Sequence, residues 1–275
     1  MRVESNLPQH LAQGLFSNGG KEYPLAIRYA NEPSFLQDDK APGPRGCGMK
    51  VFDVDGPGGF LDSAGEQTHT QDFTFNNAPL LELKDLPNTL EIFSLREQWF
   101  HNPETLKLKL LDREDKDLEL APTTLPNHHF MGYTMYSQSA YRYGDYIANA
   151  GSNREQHSIW LREYFQSHDA EFDFRIQLCR NLADQSVEDC SIPWDEEKYP
   201  FETVAKVTLP KGQDVFDSKR RAFWDDHMKL NVWYGLEAHR PLGSVNRLRK
   251  SLYQASVKKR ADLNAAEVKL MSQIP

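Results

Sequence analysis

The stretch EFDFRIQLC, residues 171–179, has the clearest strand pattern in the chain. Apolar and polar side chains alternate along it: Phe172, Phe174, Ile176 and Leu178 against Asp173, Arg175 and Gln177. A period of two is typical of a strand with one buried face, because successive side chains point to opposite faces of a sheet. The segment therefore predicts a half-buried strand whose polar face is either wet or directed at a site.

Four other segments also have strand patterns, bounded by glycine, proline and asparagine: YPLAIRYANEP (23–33), CGMKVFDVDGPGGF (47–60), FTFNNAPLLEL (73–83) and PFETVAKVTLP (200–210). The first puts Leu25, Ile27 and Tyr29 on one face and Arg28 on the other. The last places alternate residues in register on one face: Phe201, Thr203, Ala205, Val207 and Leu209.

Helical spacing occurs in two places. NTLEIFSLREQWF, residues 88–100, puts Ile92, Leu95 and Trp99 on one side. VNRLRKSLYQASVKKR, residues 245–260, has an apolar stripe and a possible N-cap at Ser244. Residues 101–130 are polar and predict a connection, which includes His128 and His129. Several antiparallel strands with inserted and appended helices indicate an α+β fold built on a barrel.

Composition narrows the classes of function. The chain has 275 residues, a net charge of −8 and a pI near 5.6, which argues against nucleic-acid binding because that needs a basic face. Its three cysteines are scattered and form no C-x-x-C pair, so we expect a reducing, cytoplasmic setting. We expect no membrane span, because no apolar run has the length to cross a bilayer.

Two arginines on strand segments are candidates for binding an anion. Arg28 lies in LAIRYA and Arg45 in PGPRGCGMKVF. A buried guanidinium needs an anionic partner, and two of them in one pocket would suit a ligand with carboxylates or phosphates. The alternative is that each pairs with one of the many Asp and Glu residues, which spacing alone favours.

Two consecutive asparagines end the strand segment FTFNN. Asparagine is depleted in strands. Phe73 and Phe75 share one face and Thr74 and Asn76 the other, so Asn76 could project into a cavity. The alternative is an Asx-turn leading into Pro79.

An aromatic and basic segment precedes the last helix. NVWYGLEAHRPLGSVNRLRK, residues 231–250, contains Trp233, Tyr234, His239 and Arg240. Positive charge beside a tyrosine favours the phenolate, a hard ligand suited to ferric iron. The alternative is that Trp233 and Tyr234 are core aromatics and Arg240 a surface charge.

These segments occur in the order of one family, and the chain resembles the haem-dependent catalases, in particular small catalase-related proteins. PLAIRYA looks like the family's long barrel strand with an R-F-S-type motif, PRGCGMKVF like its P-R-G-x-x-x-K-F segment, and DFTFNNAPLLELKD like N-N-x-P-x-F-x-x-R-D. YSQSAYRYGDYIA, FDFRIQL, PFETVAKVTLP and HRPLGSVNRLRKSLY resemble stretches of the smaller members. The likeness covers roughly residues 2–255.

The resemblance implies a single catalase-like domain over 1–275, with an antiparallel β-barrel core at about 1–210 and a helical segment at about 215–270. It implies that haem is the cofactor, that Asn76 hydrogen-bonds peroxide, and that Tyr234 is the iron ligand. Arg28 and Arg45 would bind the haem propionates, and Arg240 would pair with the phenolate or with a propionate.

The sequence departs from the family pattern at two points. The family's distal histidine lies upstream of the first barrel strand, and His10 in LPQHLAQ does not match its context. An arginine should precede the iron-binding tyrosine by four residues, but that position before Tyr234 is Leu230. In another register of the match, Gly235 falls at the ligand position.

Two functional hypotheses follow. The first is a haem-dependent oxidoreductase that can form a homo-oligomer and acts on hydrogen peroxide or, as the departures favour, on an organic hydroperoxide of a lipid or secondary metabolite. The second is a haem-poor protein of catalase fold with a binding or structural role.

Overall fold

A computed structural model describes residues 1–31, 42–61, 69–125, 127, 131–155, 158–212 and 218–264. His128 and His129 lie outside the described residues. The described strands are β1 (Arg2–Val3), β2 (Leu25–Asn31), β3 (Arg45–Val51), β4 (Gln71–Asn76), β5 (Met131–Tyr136), β6 (Tyr141–Tyr143), β7 (Tyr146–Glu155), β8 (Ala170–Leu178) and β9 (Phe201–Leu209).

The described strands form one antiparallel sheet in the order β1-β9-β8-β7-β5-β4-β3-β2, with β6 paired to β7. The sheet curls around an apolar core, so that Phe73 of β4 lies 5.0 Å, centroid to centroid, from Phe174 of β8. The prediction of an α+β fold is confirmed. The closed barrel is not observed, because β1 and β2 end the described path without pairing with each other. The bridge between Arg2 and Glu22, with hydrogen bonds such as Val3 N to the Lys21 carbonyl, joins β1 instead to the residues just before β2.

Strand β8 follows the predicted alternation. Phe172, Phe174 and Ile176 are buried in the core, as expected. Its opposite face is not uniformly wet, because Gln177 is 2% exposed and donates hydrogen bonds to the carbonyls of Trp194 and Tyr199. A loop therefore covers the polar face at this end of the strand.

The prediction for β9 is wrong at one point. Phe174 pairs with Ala205, but the next residue, Arg175, pairs with Thr203. The extra residue between them, Val204, makes a bulge that switches the side-chain alternation. Ala205 therefore faces the core, whereas Phe201 shares the opposite face.

The described helices are α1 (Leu86–Gln98), α2 (Pro103–Leu111), α3 (Lys116–Leu120), α4 (Ser158–Ser167), α5 (Ser218–His227) and α6 (Gly243–Asn264), with 3₁₀ turns at Gly14–Phe16, Ala121–Thr124 and Glu237–His239. The predicted helix at 88–100 is confirmed as α1, which buries Ile92. The predicted connection at 101–130 is wrong, since α2 and α3 lie there. The Asn102 side chain accepts a hydrogen bond from Thr105 N and so caps the N-terminus of α2. This asparagine, followed by Pro103 at the first helical position, is the sequence signal for the helix.

Helix α6 begins earlier than the cap pattern indicated. Gly243 is its first residue, so Ser244 lies inside the helix and is not the N-cap. Its hydroxyl instead donates to the Glu188 carbonyl at 3.4 Å. The helix reaches Asn264 and contacts the sheet through Arg249, which donates a hydrogen bond to Thr74 of β4.

His239 joins the segment before α6 to the core. It is 2% exposed, its Nε2 accepts a hydrogen bond from Leu15 N at 2.9 Å, and its ring contacts Phe16 and Tyr143. Burial lowers the pKa of His239 to about 4, while a hydrogen bond to the Arg142 backbone acts against that shift. The imidazole is therefore neutral and serves as a structural acceptor.

We predict an acid-labile fold that depends on this histidine. Because the pKa falls from 6.5 in the unfolded chain to about 4 in the fold, the unfolded chain binds the extra proton first as pH decreases. The free energy of unfolding should be fully retained above about pH 6.5 and should lose roughly 3 kcal/mol between there and pH 4. Urea unfolding across this range measures the loss. His239→Gln should flatten the curve, and an unchanged slope in that variant would contradict the assignment.

Candidate functional site

Strand register fixes which polar side chains share the outer face, defined as the face of the sheet opposite the core. Arg28 pairs with Gly48 and Gly48 with Thr74, while Asn76 pairs with Tyr136. Directly paired residues project to the same side of a sheet. Arg28, Thr74, Asn76 and Tyr136 therefore lie on one continuous outer face that runs across β2 to β5.

Small residues make the middle of this face flat. Ala30, Gly46 and Gly48, which we call the platform, lie between Arg28 and the polar side chains of β4. Glycine inside a strand often marks the close approach of another group. Here Leu230 makes that approach, since a Cβ added at Gly48 would lie 2.7 Å from Leu230 Cδ2.

Asn76 is positioned at the end of β4 and is 7% exposed. Its Oδ1 accepts a hydrogen bond from Ala78 N at 3.1 Å, which is the Asx-turn that the sequence offered as the alternative. The turn and the outward projection coexist, because the turn uses only the amide oxygen. Any role toward a ligand falls to the amide nitrogen, which is a hydrogen-bond donor.

Arg45 lies on the other side of the sheet from Arg28. It is 4% exposed, Nη2 donates to Asn127 Oδ1 at 3.2 Å, and its backbone N donates to Asn77 Oδ1 at 2.9 Å. It pairs with Asn31, three residues from Arg28, so the two side chains project to opposite faces. The expectation that both arginines reach one pocket is therefore wrong.

Tyr234 packs against a buried ion pair. Lys50 Nζ lies 2.7 Å from both carboxylate oxygens of Asp72, and these side chains are 3% and 0% exposed. Lys50 Nζ also lies 5.2 Å from the centroid of the Tyr234 ring, in a cation–π contact. Burial raises the pKa of Asp72, although Lys50 acts against that shift. Asp72 lies four residues before Asn76 on β4, so the ion pair beside Tyr234 is about 13 Å along the strand from Asn76.

Arg240 is on the surface. Its guanidinium lies 2.7 Å from the Glu237 carboxylate, three residues earlier, and half of its side chain is exposed. This is the surface-charge alternative for Arg240. Gly235, the other possible ligand position, lies so close to Gln71 that an added Cβ would be 2.3 Å from the amide oxygen.

Comparison with solved structures identifies the architecture. Catalase A from Saccharomyces cerevisiae superposes with a TM-score of 0.64 and 14% identity, covering 94% of this chain and 58% of the catalase. A bacterial catalase gives 0.61 and 12%, covering 95% of this chain and 54% of that protein. The chain has a catalase-like fold.

The chain spans only 58% and 54% of the length of these two catalases, and at 12–14% identity the likeness concerns the fold alone. No family model matches the sequence, and no curated protein sequence matches it. Function has to be argued from the side chains that the catalase-like fold brings together.

Helix α6 brings an arginine and a tyrosine to the outer face that the sequence analysis missed. Arg249 Nη2 donates to Thr74 Oγ1 at 3.2 Å, and its guanidinium carbon lies 5.9 Å from the Tyr253 ring centroid. Residues four apart share one side of a helix. The pair therefore has the arginine-before-tyrosine spacing that the segment around Tyr234 lacks, and Tyr253 is half-buried. The signal in the sequence is this spacing, which occurs at residues 249–253 and not before Tyr234.

The side chains of Arg28, Arg249 and Tyr253 fit haem chemically. Guanidinium groups suit the two acidic side chains of the macrocycle, and a phenol oxygen suits ferric iron. Among the described residues no group of three or more His, Cys, Asp or Glu side chains could hold a metal ion. Leu230 contacts the platform at Gly48, where a flat ligand would lie. No described helix is long and apolar enough to span a membrane.

Proposed function

We propose that this protein is a haem-dependent oxidoreductase that acts on hydrogen peroxide or, preferentially, on an organic hydroperoxide. The observation that carries the proposal is the contact of Arg249 with Thr74, two residues from Asn76 on the same face of β4. This contact brings three features to one face of the sheet: the pair Arg249 and Tyr253, the side-chain amide of Asn76, and the platform, which has no large side chains.

Each residue has a chemical task in this proposal. Tyr253 would hold the iron, and the guanidinium of Arg249 beside its ring would balance the charge of a phenolate. Arg28, exposed at the edge of the platform, would pair with an acidic group of the macrocycle. Asn76 would donate from its amide nitrogen to the peroxide oxygen. Bound haem would supply the redox-active iron that cleaves the O–O bond.

The role of Asn76 is tested by a variant that keeps its turn. Asn76→Asp retains an oxygen for Ala78 N but removes the amide donor, and we expect turnover of cumene hydroperoxide to fall by about 100-fold with haem retained. Asn76→Ala should lower turnover similarly, with some loss of stability from the broken turn. Peroxidase assays at equal haem content make the comparison.

Asn77→Asp is the matched control, because Asn77 Oδ1 bonds Arg45 N on the other side of the sheet. It should retain parental turnover. If Asn76→Asp matches the parent in rate at full haem content, Asn76 has no donor role.

A second candidate function is a haem-poor binding or structural protein. Leu230 supports it, because its side chain occupies the platform at Gly48. A haem-dependent enzyme requires that side chain to leave when the ligand binds, whereas a haem-poor protein keeps it in place.

Leu230→Ala separates these alternatives. If Leu230 competes with haem for the platform, its truncation should tighten haem binding by about tenfold, since the cost of displacing an apolar side chain disappears. Haem titration followed by absorbance measures the change. Leu252→Ala, on the exposed part of α6, is the control and should leave the affinity unchanged. Weaker binding by a folded Leu230→Ala protein would contradict the competition.

A further inference from the structure

A cavity of about 340 Å³ opens on the outer face beyond Asn76, on the side away from the platform. Its walls include Tyr136, the cross-strand partner of Asn76, together with Phe201 of β9 and Trp194 of the loop that covers Gln177. The volume is that of a small-molecule site. The bulge at Val204 is what turns Phe201 outward into this cavity.

The aromatic walls are held in place. Trp194 is 8% exposed and its indole N–H donates to the Ser186 carbonyl at 3.1 Å. The Tyr136 and Phe201 rings are 6.5 Å apart, and Arg175 packs 5.1 Å from the centroid of Phe201. Three rings around one space favour a planar ligand, because stacking and edge contacts add to the burial of apolar area.

The charged side chains that line the cavity all have one sign. Its described lining includes three acidic residues, Asp189, Asp195 and Glu196, and no Lys, Arg or His. Asp195 accepts hydrogen bonds from the backbone of Glu197 and Lys198, and Asp189 accepts from Ser191, so two carboxylates are fixed at the rim. Several like charges around a cleft attract ligands of the opposite charge.

Two cations lie behind the lining, because Arg175 packs on Phe201 and the charge of Arg249 acts on Cys190, although neither arginine lines the cavity. Lys84 approaches Asp189 at 3.9 Å but is 40% exposed and does not line the cavity. Burial raises the pKa of Cys190 to about 12, so its thiol adds no charge and is a poor nucleophile. Burial also raises the pKa of Tyr136, and the Glu196 carboxylate adds to that effect, whereas the Arg175 guanidinium acts against it.

We propose that this cavity is a binding site for a planar aromatic ligand with a positively charged side chain, such as an arylalkyl ammonium compound. The rings would stack on the aromatic part, and the carboxylates would face the positive charge, with an added cation–π attraction from Trp194. A fatty acid or a phosphorylated ligand would place an anion against three carboxylates. The site does not depend on haem or on the proposed oxidoreductase activity.

Tryptamine and indole-3-propionate test the proposal, because they share an indole and differ in charge. Calorimetric titration of the full chain at pH 7 and low salt should show tryptamine binding at least about tenfold more tightly. Equal affinities, tighter binding of the propionate, or no binding of either compound would overturn the proposal.

Variants assign the binding to the cavity. Glu196→Gln should weaken tryptamine by about threefold and tighten the propionate by a similar factor, because the same carboxylate repels that anion. Glu197→Gln is the matched control, since this adjacent exposed carboxylate does not line the cavity. Ile192→Lys changes a lining residue that is 40% exposed, so folding should survive and the charge preference should reverse. Tryptamine binding that is insensitive to both Glu196→Gln and Ile192→Lys would place its site elsewhere.

Discussion

Tyr253→Phe is expected to weaken haem binding by at least about 100-fold and to remove the absorption band of tyrosinate-ligated iron. The variant deletes one oxygen atom and keeps the ring beside Arg249. Because Tyr253 is only half-buried, the fold should tolerate the loss of its hydroxyl group. Absorbance titration with haem, together with circular dichroism of the same samples, separates loss of the ligand from loss of structure.

Tyr234→Phe is the matched control for this experiment and tests the ligand that the resemblance to catalases implies. Its ring lies under Lys50 inside the packed segment before α6, so removal of the hydroxyl should leave the haem band intact. If Tyr234→Phe abolishes the band and Tyr253→Phe preserves it, the iron ligand is Tyr234 and the assignment to α6 is wrong.

Asp72→Asn should lower the free energy of unfolding by about 3–5 kcal/mol, because it leaves the buried ammonium of Lys50 without its counter-charge. The same change weakens the bond from Asn231 N to Asp72 at 2.8 Å, which ties the Tyr234 segment to β4. Chemical denaturation at pH 7 measures the loss.

Two comparisons isolate the buried pair. Lys50→Met combined with Asp72→Leu removes both charges together and should recover most of the lost stability. Arg247→Met, which breaks an exposed pair with Glu188, should leave the unfolding midpoint nearly unchanged. If the Asp72→Asn single variant unfolds at the parental midpoint, the assignment of Lys50 as a buried ammonium that depends on Asp72 is wrong.

The sequence predicts strands well where one face is buried. β8 and β2 are recognisable because Phe174 and Ile27 pack against the core, which requires apolar and polar residues to alternate, and this alternation is visible in the sequence. The bulge at Val204 was not predictable in this way, since it depends on how β9 pairs with Arg175 of its neighbour. The same long-range pairing leaves the described sheet open at β1 and β2.

The candidate site shows a similar division. Asn76 could be placed on the outward side of β4 from its own strand, and the structure agrees. Arg28 and Arg45 could not be compared, because their relative direction depends on the register between two strands. Arg249 and Tyr253 share one side of a helix in the sequence pattern, but only the docking of α6 on Thr74 reveals that Arg249 faces the sheet, with Tyr253 beside it.

Titration of the purified, folded protein with haem tests the central claim most directly. We expect a saturable Soret band that reaches one haem per chain, with the spectrum of ferric iron held by a phenolate. A protein that remains folded and gives no saturable band, even as Leu230→Ala, would contradict haem binding on the platform and leave the haem-poor alternative.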